Sequence, residues 1–199
     1  MRKIKVLFAE TKDLDLEKFF ISSLITDQEY DRLTRLKNED VQREQCVSTY
    51  FKRKYIGFYY LNENGKPLSD SMFFNISHSK GMVVLVVDSV PVGIDIEKAR
   101  KIEDSFKKYV CSPLEEDFIQ KDEDFFKIWT NKESLVKCIG TGVRSRVNEI
   151  PGLPINGIRQ FKNRIFNSVT IEPFGFVISL TRESSEPFDI ELVQEKFSY

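Results

Sequence analysis

The chain has 199 residues, with 30 basic against 31 acidic side chains and a net charge of −1, so a globally basic nucleic-acid binder or anionic-membrane binder is excluded and any anion site must be local. Hydrophobic residues at 41% and 17 Phe supply a core for one compact body or two packed halves. Three scattered cysteines (Cys46, Cys111, Cys138), an opening MRKIKVLFAE without a signal-peptide apolar region, and no apolar run near 18 residues lead to the expectation of a reducing, cytoplasmic setting without membrane or nucleic acid.

In chain order, residues 3–10 (KIKVLFAE) read as a strand and residues 13–60 as mostly helical. Thr26 with Glu29 three residues on forms a capping box, and a long helix is expected over 38–59. NENGKP (62–67) is a turn. MVVLVV (82–87) has the unbroken β-branched pattern of a strand buried on both faces. DSVP (88–91) is short enough for a hairpin that lays 92–97 antiparallel to that strand. The charged KARKIEDSFKK is the expected junction between halves. Ser112 caps a helix with Pro113 at its first position, a second helix covers 122–138, and 147–199 reads as strands with turns. Each half thus has helices followed by a late strand hairpin, a coarse echo of a duplicated α+β architecture.

Within PVGIDIEKAR (91–100), Val92, Ile94 and Ile96 face inward while Asp95 and Glu97 share the opposite face, neighbours on one face being ~7 Å apart. Two carboxylates so placed suit Mg²⁺, which takes one or two protein carboxylates and leaves its other positions to water and phosphates. The alternative is the solvated face of an edge strand. FFNISHSKG (73–81) holds His78, the chain's sole histidine, among hydroxyl and amide donors suited to phosphate oxygens. His78 is either a structural hydrogen-bonder or converges with Asp95 and Glu97 at one end of a sheet.

On the helix DFFKIWTNKESLVKCIG (124–140), Phe125, Phe126, Ile128, Trp129, Leu135, Val136 and Ile139 share one arc, with Lys127, Thr130, Asn131, Ser134 and Cys138 opposite. Lys132 and Glu133 fall inside the apolar arc, where a charge is costly unless paired or metal-bound, so Glu133 is a candidate third acidic group. Glu133 and Lys137 also have the i, i+4 spacing of an ordinary helix-surface ion pair.

FNISHSKG, then VGIDIEKAR, then WTNKESLVKCIGTG resemble in order, spacing and wording the three signature motifs of the 4′-phosphopantetheinyl transferase superfamily, and the length resembles its surfactin-synthetase-activating class. The resemblance implies an α+β fold of two pseudo-symmetric halves, each with a small mostly antiparallel sheet packed against helices, here 1–99 and 100–199. It implies transfer of the phosphopantetheine arm from coenzyme A to a serine of an acyl or peptidyl carrier protein, releasing adenosine 3′,5′-bisphosphate. Asp95, Glu97 and Glu133 match the acidic metal positions for Mg²⁺, or Mn²⁺ in its place. Glu133 would be the base and Lys137 the contact to the diphosphate or the proton donor to the departing phosphate.

Coenzyme A contacts are expected from Asn75, Ser77, His78, Lys132 and Lys137, from the NGKP loop with Gly65, Lys66 and Pro67, and from Arg32 at the 3′-phosphate. The carrier, an acidic helical partner, is expected to meet a monomeric enzyme at SPLEEDFI and the segment after Lys98. Two other classes remain: a different metal-dependent phosphoryl-transfer enzyme, and a non-catalytic carrier-binding homologue, which would be expected to lose Asp95, Glu133 or Lys137.

Overall fold

A computed structural model describes residues 1–63, 65–141 and 146–199. Asn64 of the NGKP stretch and Gly142, which closes the third motif, lie outside the described residues.

The first strand, β1 (Arg2–Glu10), leads into three helices, α1 (Leu16–Ile21), α2 (Asp27–Thr34) and α3 (Glu39–Phe51). The capping box at α2 is present: Glu29 N–H donates to Thr26 Oγ1 and Thr26 N–H to Glu29 Oε2. The helix expected over 38–59 is regular only to Phe51; Lys52–Ile56 is a wider π-type turn that Gly57 ends at φ 74°. A small hairpin, β2 (Tyr60–Leu61) and β3 (Pro67–Leu68), precedes β4 (Phe73–Ser79), β5 (Met82–Asp88) and β6 (Val92–Lys98). Then come α4 (Asp104–Val110), α5 (Pro113–Phe118), α6 (Asp122–Ile139) and four strands, β7 (Gly157–Phe161), β8 (Arg164–Ile171), β9 (Phe176–Arg182) and β10 (Phe188–Gln194).

The architecture is α+β, with two four-stranded sheets ordered β10-β1-β5-β4 and β6-β9-β8-β7. Every pairing in them is antiparallel except β1 with β10. The strand expected to be buried on both faces is so: Val84 and Val86 of β5 meet Ile94, Ile96, Ile178 and Leu180 of the second sheet, while Val83 and Leu85 meet Phe19, Leu33, Val47 and Phe51 of the helices. No helix among the described residues is long and apolar enough to cross a membrane.

The expected hairpin between 82–87 and 92–97 does not form. Residues 88–91 instead carry the chain from one sheet to the other, and β6 pairs with β9, Ile94 opposite Leu180 and Asp95 opposite Ser179. A buried ion pair holds this crossing: Arg182 Nε donates to Asp88 Oδ2 at 2.5 Å, and Arg2 reaches Asp88 Oδ1 at 3.1 Å. Sheet membership also crosses residue 99, because β6 joins the sheet of the later strands and β10 joins that of β1.

The two sheets pack face to face through their shared core and are also joined along one pair of edges. β4 and β6 run side by side without a backbone ladder and are joined by side chains: Ile94 N–H donates to Asn75 Oδ1 at 2.9 Å, Ser77 Oγ to Asp95 Oδ1 at 2.9 Å, and Ser79 Oγ to Glu97 Oε2 at 3.0 Å. Edge strands need their polar groups occupied, and the alternate polar residues of FNISHS do that.

Helix α6 crosses β6 and β9. The polar side of α6, opposite the apolar arc, is buried: Thr130 shares a hydrogen bond with Ser179 and Ser134 with Thr181, each at 2.7 Å. Short hydroxyl side chains let the helix come down onto the sheet, and at Gly93 backbone meets backbone. A methyl group there would collide with the Ser134 carbonyl oxygen and the Cys138 nitrogen. Gly93→Ala is therefore expected to cost about 3 kcal/mol, the upper end of overpacking penalties, read as a lower denaturant midpoint; a wild-type midpoint would refute the close approach.

Candidate active site

Asp95 and Glu97 project from β6 toward α6, as alternation with buried Ile94 and Ile96 requires. Lys137 Nζ lies 2.5 Å from Asp95 Oδ1 and 3.0 Å from Ser77 Oγ, and Ser77 donates to the same Asp95 oxygen. The ammonium and the hydroxyl thus fix one carboxylate oxygen. Asp95 Oδ2 is buried and has no hydrogen-bond partner. Burial pushes the Asp95 carboxyl up from its ordinary value, against the opposing pull of Lys137 and Ser77.

Glu133 belongs to the same field. Burial raises its carboxyl above the ordinary range, with Asp95 adding to the rise and Lys137 opposing it. The i, i+4 pair that helix spacing allows is not formed as a contact, since the ammonium of Lys137 is spent on Asp95 and Ser77. Glu97 is held by Ser79 and by Arg100 Nη1 at 3.1 Å.

Among the described residues no group of three or more His, Cys, Asp or Glu stands close enough to hold a metal ion. The donor chemistry nonetheless fits Mg²⁺, which keeps several waters and uses one or two protein carboxylates. An orphaned buried carboxylate oxygen is costly, and a hard cation at Asp95 Oδ2 would relieve it.

Of the residues expected to contact coenzyme A, Lys132 is corrected. It is fully buried and donates to Val110 O at 2.8 Å and Val147 O at 3.1 Å, with Glu115 Oε2 at 2.7 Å. Three partners occupy its three protons, and the residue locks α5 and the 147–152 segment to α6. Glu115 also accepts from Gly152 N–H at 2.6 Å and Ser112 N–H at 2.8 Å.

His78 does not converge with Asp95. It lies on the other face of β4, where its Nδ1 sits 2.9 Å from Glu44 Oε2 and its Nε2 3.4 Å from Gln45 Nε2, because alternation gives the Asp95 face to Asn75, Ser77 and Ser79. Asn75 is buried in the seam between the sheets.

Lys66 donates to Lys137 O at 2.7 Å, a cation at the C-terminal end of α6. It lines, with Pro67, Phe73, Cys138 and Arg164, a cavity of ≈ 380 Å³ between the β2–β3 hairpin and that helix end. Gly65, at φ 74°, closes the tight turn of the same hairpin.

Arg32 Nη2 donates to Thr49 Oγ1 at 3.3 Å. Beside it stands Lys52, whose amine burial and the Arg32 charge push down to about 8, held 4.9 Å from the Tyr59 ring centroid. Neither Lys52 nor Ser79 stands out in the sequence, where Arg100 reads as the exit from the first half rather than part of the site; the structure sets it on Glu97. Ser79 could have been named, since it continues the alternation of Asn75 and Ser77.

Comparison with known proteins agrees with this arrangement. The family model described as the 4′-phosphopantetheinyl transferase superfamily matches residues 91–179. The chain is 30% identical over 164 residues to 4′-phosphopantetheinyl transferase gsp of Aneurinibacillus migulanus, covering 73% of this chain and 69% of that protein. It is 40% identical over 90 residues to 4′-phosphopantetheinyl transferase Sfp of Bacillus subtilis (strain 168), covering 41% and 40%. It is 36% identical over 93 residues to 4′-phosphopantetheinyl transferase psf-1 of Bacillus pumilus, covering 40% and 38%. The chain belongs to the 4′-phosphopantetheinyl transferase superfamily, an enzyme family, in its Sfp class.

Two expectations separate the neighbouring charges on α6. Lys132→Ala leaves the buried Glu115 carboxylate without its counter-charge, so it should lose roughly 3–5 kcal/mol, measured by chemical denaturation; a loss under about 1 kcal/mol would refute the structural role. The raised Glu133 carboxyl holds its proton to higher pH in the folded chain than in the unfolded one, so it lowers stability as pH climbs from the unfolded value upward. Glu133→Gln should therefore raise the melting temperature relative to wild type more at about pH 8 than at about pH 5. An equal difference at both pH values would contradict the buried-carboxylate assignment.

Proposed function

We propose that the chain transfers the 4′-phosphopantetheine arm of coenzyme A to a serine hydroxyl of an apo acyl or peptidyl carrier protein, releasing adenosine 3′,5′-bisphosphate, with Mg²⁺ as cofactor. The observation that carries the reading is Asp95, held at one oxygen by Lys137 and Ser77 with its other oxygen buried and unpaired, beside Glu133 on the adjoining helix.

The transfer puts negative charge on phosphoryl and leaving oxygens, so it needs fixed cations and a proton acceptor. Asp95, with Glu97 and Glu133, would hold the metal. Bound there, Mg²⁺ supplies Lewis-acid neutralisation of the diphosphate. Glu133, its proton affinity raised by burial, takes the serine proton. Lys137 is only part-buried and directs its charge at the space between Ser77 and Asp95, where it stabilises or protonates the departing phosphate.

Coenzyme A is held by Ser77 and Lys137 at the diphosphate, by Gly65, Lys66 and Pro67 beside the ≈ 380 Å³ cavity at the nucleotide end, and by His78 and Arg32 on the α3 side. That volume lies within the range of small-molecule sites. Asn75 acts by holding the β4–β6 seam. Lys52 adds a cation beside Arg32.

The carrier docks on α4 and α5. Tyr109 and Leu114 are 61% and 76% exposed there, with Phe106 and Phe118 part-exposed between them, an apolar surface with Lys101, Lys107 and Lys108 at its rim. Lys107 is already paired with Asp122 at 3.0 Å, so the rim is only partly available to an acidic partner. The reading includes monomeric action in the cytoplasm. A non-catalytic carrier binder would have no use for the Asp95, Glu133 and Lys137 group.

Incubated with coenzyme A, Mg²⁺ and a panel of apo carrier proteins, the chain should add to a carrier the mass of the phosphopantetheine arm. Asp95→Ala and Glu133→Gln should each lower the rate by at least ~10²-fold while the circular dichroism stays native. No mass gain on any carrier of a fatty-acid and peptide-synthetase panel would sink the reading, and retained activity in either variant would sink that residue's role.

A further inference from the structure

Arg100 follows the GIDIE strand in a charged segment that reads, in sequence, as the junction between halves. The structure puts it on the carboxylate site. Its Nη1 donates to Glu97 Oε2 at 3.1 Å and to Lys98 O at 3.3 Å, and its guanidinium carbon lies 5.0 Å from the Phe126 ring centroid. Ser79 Oγ donates to the same Glu97 oxygen at 3.0 Å.

We propose that Arg100 is a displaceable counter-ion of Glu97 that competes with a divalent cation for that carboxylate, so that this residue sets the metal affinity of the site. The inference rests on the reading of Glu97 as a metal-binding carboxylate. A guanidinium and a divalent cation repel each other and cannot both sit at contact on one carboxylate oxygen. On the two oxygens of one carboxylate they still weaken each other's hold, so metal binding at Glu97 loosens Arg100, and the two cations of the site differ in how readily they yield.

Lys137 is the less exposed, at 28%, and is fixed by both Ser77 and Asp95. Arg100 has half of its side chain in water and one carboxylate partner, so releasing it costs little. It also has somewhere to go. The Phe126 ring already supports it as a cation–π partner, and it lines an open groove with Lys107, Gln120, Lys121 and Asp122 on the α4–α6 side. A guanidinium turned into that groove faces Asp122 and the side on which the carrier is proposed to dock. Arg100 is a positioning residue on this account: it acts through Glu97.

Mn²⁺ binding to the whole protein, followed by electron paramagnetic resonance of the free ion with and without coenzyme A, tests this without reference to turnover. Arg100→Ala should bind Mn²⁺ about two- to fivefold more tightly than wild type, the range a half-exposed ion pair sets. Arg100→Lys, which keeps the charge, should bind as wild type does, and Arg100→Gln should repeat the tightening with the aliphatic stem retained over Phe126. In a Glu97→Gln background the effect of Arg100→Ala should vanish, because the contested oxygen is then neutral. Unchanged or weaker binding in both Arg100→Ala and Arg100→Gln, with wild type binding Mn²⁺, overturns the competition alone. No Mn²⁺ binding by wild type under either condition overturns the metal reading and the competition with it.

Discussion

The contact on which the site depends is backbone against backbone, where β6 at Gly93 touches α6 between Ser134 and Cys138. Side chains normally hold a helix off a sheet. Here the strand has none at the crossing, and the helix presents Thr130 and Ser134, short enough to hydrogen-bond directly to Ser179 and Thr181. The helix therefore sits low on the second sheet. A lysine at position 137 in such a place cannot run out along the surface; it meets Asp95, two residues past the glycine on the same strand face. Spacing on a strand and spacing on a helix become one geometry only because that glycine lets the two elements close.

Lys132 and Lys137 show how one helix uses the same side chain in two ways. Lys132 is enclosed, with Glu115 and two carbonyls taking all of its protons, and an ion pair so completed is a fastening. Lys137 shares an oxygen with Ser77, remains part-exposed, and leaves the second oxygen of Asp95 unused. Full satisfaction makes a buried charge structural, while one remaining valence makes it available for chemistry. The same contrast holds for Asp88, whose two oxygens are both taken by arginines at the crossing between sheets.

The sequence pattern made the elements legible where one periodicity had one cause. The capping box at Thr26, the doubly buried β5 and the inward set Val92, Ile94 and Ile96 all follow from local rules. What it left out was partnership. Alternation says that β6 has a buried face, but nothing in residues 88–98 says that the partner is β9, eighty residues on, in place of β5 next door. The Asp88–Arg182 pair that holds this choice is equally non-local.

Helix α6 is less legible for a related reason: the side opposite its apolar arc is buried too, through paired hydroxyls, which a hydrophobicity pattern scores as polar. The face of His78 was legible, since it is out of phase with Asn75, Ser77 and Ser79.

The two sheets are joined at their edges by side chains, and this is why a reactive centre can lie between them. A backbone ladder from β4 to β6 would pair the N–H and C=O groups that each strand turns toward the other and leave no side chain in the seam. Instead Asn75, Ser77 and Ser79 reach across to Ile94 N–H, Asp95 and Glu97. Hydroxyls and carboxylates have more hydrogen-bonding capacity than the seam consumes. Ser77 both donates to Asp95 and accepts from Lys137, and so aligns the carboxylate and the ammonium with a single atom. The excess collects under α6, as one unpaired carboxylate oxygen and a neighbouring glutamate of raised proton affinity. A joint built from polar side chains therefore stabilises the fold at Asn75 and leaves carboxylate capacity unspent at Asp95.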